Sequence, residues 1–230
     1  MPEHVFEEAH VHILDDPADL SERARVFLSR AGHRESATAF QVPGDPLRVS
    51  DGQGRTVLAP YELVAGREAF RARYGGLRYG VRRSVLLGGR RHDLLREWDF
   101  NLYDDVRAVG RGWAFRWAGV DGRFIEVASS LSHLIEGHAV MDMVASWDPW
   151  PAGSLEAWVP GRAGTAMTDG IEGLAPVPEA SSPFDAWLLS EHVAVRRFQG
   201  WVSRSPRPWG VQLWTKGYEG RERIRSESAR

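Results

Sequence analysis

Residues 112–146 read GWAFRWAGVDGRFIEVASSLSHLIEGHAVMDMVAS, and this stretch decides the fold class. Gly112-Trp-Ala-Phe-Arg-Trp-Ala and Phe124-Ile-Glu-Val alternate across Val120-Asp121-Gly122-Arg123, whose Asp-Gly pair suits a tight turn, so the segment predicts a β-hairpin. The period then changes. Ser129 or Ser130 can cap a helix over 130–146, in which Leu131, Leu134, Ile135, His138, Met141 and Ala145 fall near one stripe; Asp148-Pro149-Trp150-Pro151 ends it. Hairpin-connected strands with covering helices imply an α+β chain, mainly antiparallel sheet with two or three helices on it.

Working outward, Leu47–Ser50 and Thr56–Ala59 flank Asp51-Gly52-Gln53-Gly54 and predict a second hairpin over 46–59. A short helix over 64–74 stops at Gly75-Gly76, and Leu77–Leu87 resumes an extended pattern broken by Gly88-Gly89. Nearer the N-terminus, the rough alternation of residues 5–14 predicts a strand. Asp16 as cap and Pro17 in the first turn open a helix over 17–31, with Leu20, Ala24, Phe27, Leu28 and Ala31 on one face. Late in the chain, residues 184–192 suggest a helical turn, 194–202 and 211–215 strands, and 219–230 a charged, frayed tail. With no repeat and no dividing linker, residues 1–218 are expected to form one domain.

Composition narrows the class further. Ten Trp and nine Phe among 230 residues exclude a mainly disordered or fibrous chain. No apolar run reaches the roughly 18–20 residues of a bilayer span, and the first residues lack a secretory pattern, so a cytoplasmic location is expected. Without cysteine there is no disulfide, thiolate nucleophile or Cys-bound zinc. The net charge of −2 hides an asymmetry: residues 67–96 hold nine Arg against Glu68 and Asp93, whereas 121–191 hold eleven acids against Arg123 and Arg162. Such segments either form opposite patches or neutralise each other on folding.

Several constellations bear on chemistry. His10-Val11-His12 would put two imidazoles on one side of a strand, where both could turn to a metal ion, with acids such as Asp142 or Asp185 brought in by folding. That is the alternative of a metal-dependent hydrolase. His133 and His138 lie five apart, about 140° around a helix, and do not share a zinc-protease face; His133 with Glu136 and His138 with Asp142 do share faces and suggest helix-surface pairs. No Gly-x-Ser-x-Gly or phosphate-loop pattern occurs. The Arg-rich stretch 67–96, with Tyr74, Tyr79 and Trp98 nearby, has the ingredients of single-stranded nucleic-acid binding, but at a pI near 6.5 a solvated face or an internal match to the acidic stretch is favoured. Trp147, Trp150 and Trp158 lie among Asp142, Asp148 and Glu156, the aromatic-and-charge mixture that protein interfaces use.

Glu68-Ala-Phe70-Arg-Ala-Arg-Tyr74-Gly75-Gly76-Leu77 and the turn Ala118-Gly119-Val120-Asp121-Gly122-Arg123 resemble the SUKH superfamily, many of whose bacterial members are immunity proteins against secreted toxins. The match spans roughly residues 64–127. The resemblance implies an α+β domain that binds a protein and carries over no catalytic residue. The expectation is therefore a non-enzymatic binding protein without a cofactor, whose acidic segment meets a basic partner such as a toxin domain. Asp142, Trp147, Asp148, Trp150 and Glu156 are the expected contact residues.

Overall fold

In the computed structural model, which describes residues 11–35, 48–50, 53–100, 115–118, 124–151, 171, 173–199 and 209–228, the chain is α+β, with helices packed on antiparallel sheets. Ser130 sets the central helix: its hydroxyl accepts the amide of His133 and opens α3 (Leu131–Val144). The single apolar stripe expected there is too narrow. Leu131, Leu134, Ile135, Glu136, Ala139, Val140, Met141, Asp142 and Val144 are all buried, because the helix is met on different sides by α1 (Glu22–Ala31), β4 (Leu77–Leu87), β7 (Phe124–Ala128) and a 3-10 turn at Pro178–Ala180.

Preceding these come β1 (Gly32–Arg34), the hairpin of β2 (Arg48–Ser50) with β3 (Thr56–Leu58), and α2 (Tyr61–Tyr74). A long hairpin joins β4 to β5 (Arg90–Asp99) across Gly88-Gly89, both at positive φ (56° and 75°), and the sheet runs β1-β4-β5. The pair β6 (Phe115–Ala118) and β7 realises the hairpin read at 112–127; its turn lies outside the described residues. A second antiparallel sheet has the order β8-β12-β11-β10-β9, formed by Asp148–Pro149, Trp209–Thr215, Val193–Gln199, Asp185–Leu189 and Ala175–Pro176 respectively. On the face toward α3, Trp187, Ala194 and Trp214 join the core of α1, β4 and α3; the two indoles stack at 5.6 Å, and Trp214 Nε1 donates to the Ser84 carbonyl of β4. On the opposite face Val193, Val195 and Leu213 pack with Ile224 of α4 (Gly217–Ser228).

Four expectations change. Residues 11–14 of the strand expected over 5–14 lead into a turn at 13–15 instead, with the amides of Asp15 and Asp16 on the His12 carbonyl; residues 5–10 lie outside the described residues. Asp16 does accept the Ala18 amide, but that turn closes at Leu20, and Ser21, not Asp16, caps the helix. Residues 185–189 are a strand, because Trp187 fills one face of a sheet while Leu188 packs on the other, a period of two that a helical turn cannot supply. The expected frayed end is helix α4: Ile224 is buried, and the His192 carbonyl lies 2.3 Å from where a Cβ on Gly220 would stand, so only glycine permits this approach.

Candidate functional site

The acidic and basic segments meet. Arg82 of β4 donates its backbone amide and Nε to Asp142 Oδ1, both at 3.0 Å, and Arg30 of α1 pairs with the same carboxylate. Burial works to raise the Asp142 pKa, but the hydrogen bonds from Arg82 and Arg30 outweigh it and hold the group lowered. Asp148 pairs with Arg91 and Arg221, Glu179 with Arg23, and Asp185 with Arg196. Glu136, buried in α3, accepts the Ser21 amide at 2.6 Å and the Ser21 hydroxyl at 2.7 Å, clamping the cap of α1. The helix-surface pairs read from spacing therefore do not form: Glu136 bonds Ser21, Asp142 bonds Arg82 and Arg30, and His138 bonds Tyr79. The polar side chains of α3 are thus satisfied by α1 and β4 rather than by one another.

The residues expected to contact a partner are dispersed. Asp142 is 2% exposed and engaged on both oxygens. Trp147 is partly buried against the main core under Lys216, Trp150 is partly buried against the second cluster, and Asp148 is in ion pairs. Glu156 and Trp158 lie outside the described residues. His12 is buried, its Nδ1 accepting the Leu14 amide and its Nε2 without a hydrogen bond among the described residues; burial first, then Arg34, lowers its pKa. His10 lies outside the described residues, among which no group of three or more His, Asp or Glu side chains is placed to hold a metal. In the Arg-rich stretch, Arg71, Arg73, Arg78, Arg82 and Arg91 each pair with a carboxylate.

Arg83 and Arg96 line a cleft. With Trp98 they form the wall from β4 and β5; His133, Gly137 and His138 of α3 form the floor, and Ser182, Asp185 and Arg196 the opposite wall. The cleft has about 60 Å³ of room. Against roughly 10–15 Å³ for one water on the same measure, that admits a group of about four or five heavy atoms.

Its electrostatics are lopsided. Asp185 neutralises Arg196 through paired hydrogen bonds at 2.9 and 3.0 Å from Nε. Arg83 has no such partner among the described residues, and its Nε is buried without a hydrogen bond. Burial, then Arg196, then Arg96 lower the Arg83 pKa. The same fields act on His138, whose pKa burial first, then Arg196, Arg83 and Arg96 push well below 6.5, so the imidazole is neutral at pH 7. Tyr79 OH lies 2.9 Å from His138 Nδ1, and burial raises the phenol's pKa so that it keeps its proton. A Tyr79 hydroxyl donating to Nδ1 leaves the imidazole proton on Nε2, a neutral donor. With Arg196 neutralised by Asp185, Arg83 is a positive charge of the cleft that meets no carboxylate among the described residues.

Sequence reasoning had Arg83, Arg96 and Trp98 in view as part of a basic stretch and His138 as part of a failed zinc motif. Their convergence with Arg196 was not legible. The available signal was alternation in β11, which puts Arg196 on the same inner face as Ala194, where an arginine needs a reason. Comparison with protein-family models, curated proteins and solved structures finds no match for the chain.

Proposed function

We propose that the protein is a non-enzymatic binding module that captures an oxyanion, a carboxylate or phosphate group, in the cleft between β4–β5, α3 and β10–β11. One observation carries this reading: Arg83 holds a charged guanidinium in a half-buried position beside two further arginines, without a carboxylate among the described residues. An uncompensated buried charge is costly, and an anion that supplies the missing partner recovers that cost as binding free energy. Charge-assisted bonds to arginine forks also orient planar or tetrahedral oxyanions. With the Tyr79 hydroxyl donating to Nδ1, the neutral His138 would add its Nε2–H as a donor without adding charge.

The protein partner implied by the SUKH resemblance enters this reading with its sign reversed. The described acids at 136, 142, 148, 179 and 185 are occupied by Ser21 or by arginines, so a partner of this cleft would present an acidic group rather than a basic toxin surface. Thermal unfolding with increasing inorganic phosphate at constant ionic strength tests the proposal. The midpoint rises for the native protein as mass action requires and stays flat for Arg83→Gln. An unchanged midpoint in the native protein, or an equal rise in Arg83→Gln, defeats the reading.

A further inference from the structure

Gly137 stands in the middle of α3, where glycine is the least favourable residue after proline. Packing does not demand it: a Cβ there would meet Trp187 Nε1 at 3.6 Å and the Ala180 carbonyl at 3.8 Å, ordinary contact distances. What a methyl group would do is cover the indole N–H. Trp187 is 1% exposed and its Nε1 has no hydrogen-bond partner among the described residues, although a buried donor without an acceptor is destabilising. Gly137, which stands beside that N–H, lines the arginine cleft, as does Ala180.

We propose that the cleft takes a phosphate group, one oxygen of which reaches past Gly137 to the indole N–H of Trp187; this rests on the anion-binding reading. Donors approach from three sides: Arg83 from β4, His138 from α3, and Arg196 from the β10–β11 pair, where its guanidinium lies over the ring of its cross-strand partner Trp187. A planar carboxylate offers two oxygens in one plane and leaves some of these walls unserved. A tetrahedral phosphate offers oxygens in four directions and fits the size of the cleft. Gly137 is then the window that keeps the deepest donor reachable, and the helix gives up some intrinsic stability to keep it open.

Calorimetric titration of the full chain with inorganic phosphate, O-phosphoserine and acetate, together with 1H–15N spectra of the indole groups, tests this. Phosphate should bind more tightly than acetate. The Trp187 indole resonance, assigned by its loss in Trp187→Phe, should move on addition of phosphate. Gly137→Ala should raise the unfolding midpoint while weakening phosphate binding at least about fivefold. Tighter binding of O-phosphoserine would place the phosphate on a larger molecule, and tighter binding of inorganic phosphate would make the free ion the ligand. If the native protein binds phosphate but Gly137→Ala binds it equally well, or the indole resonance does not move, the Trp187 assignment is overturned. Acetate binding as tightly as phosphate overturns the choice of ligand. Should Trp187→Phe not fold, the Gly137→Ala titration decides alone. If the native protein binds neither anion, the anion-binding reading itself fails.

Discussion

Replacing Asp142 with alanine removes the group that ties α1, α3 and β4 together. Its carboxylate is 3% exposed and accepts from the backbone and side chain of Arg82 and from Arg30. Deleting it strips the Arg82 amide of its acceptor, at about 1–3 kcal/mol for a buried donor left unpaired. It also removes two charge-assisted contacts, but the Arg30 and Arg82 side chains are 52% and 53% exposed and can return to water, so each contributes only about 0.5–1 kcal/mol. The expected loss is about 3 kcal/mol, or roughly 6–12 °C in the unfolding midpoint of a chain this size. Urea unfolding at pH 7, followed by tryptophan fluorescence, measures it. The pH dependence supplies a second check. Because the folded pKa of Asp142 is lowered, its contribution is fully present above 3.8 and is lost as pH falls through the folded value. The stability gap between the native protein and Asp142→Asn should therefore narrow below pH 3.8. A loss under about 1 kcal/mol for Asp142→Ala, or a gap that widens in acid, would refute the account of this carboxylate as a charged tie.

Three further outcomes follow from the geometry. Ser21→Ala and Glu136→Ala should be non-additive in a double-mutant cycle, with a coupling of about 1 kcal/mol, because both remove the bond from the Ser21 hydroxyl to Glu136, while Ser21→Ala keeps the bond from the backbone amide; additivity would place the clamp elsewhere. His138 has a depressed folded pKa, so the unfolded chain binds the extra proton and stability should fall as pH drops below 6.5, with a slope approaching about 1.4 kcal/mol per pH unit. His138→Gln should reduce that slope, leaving the part due to His12, whose pKa is lowered too; an unchanged slope would deny His138 its role. Ile224→Ala should cost about 2–4 kcal/mol by calorimetry, since this side chain anchors α4 against Val193, Val195 and Leu213; a neutral effect would return the C-terminal segment to the solvated tail first expected.

What the amino-acid sequence determined by itself was local. Gly88-Gly89 fixed a tight reversal because both positions require positive φ, and Ser129-Ser130 marked the start of α3, the structure choosing Ser130, whose hydroxyl reaches an amide three residues on. The hairpin over 112–127 and the helix over 64–74 were legible for the same reason: their signals act within a few residues. Tertiary structure decided the partners of the polar side chains. Glu136 meets Ser21 across 115 positions and Arg82 meets Asp142 across 60, and spacing along one helix carries no information about which charge lies on the next element. The turn at residue 16 looked like a helix start because Asp16 does cap an amide, and only the reach of Glu136 to Ser21 pins the start one turn later. The arginine cleft belongs to the same class: Arg83, Arg96, His138 and Arg196 come from four elements, and the charge of Arg83 stands out only once folding has paired Arg73, Arg82 and Arg91 with carboxylates.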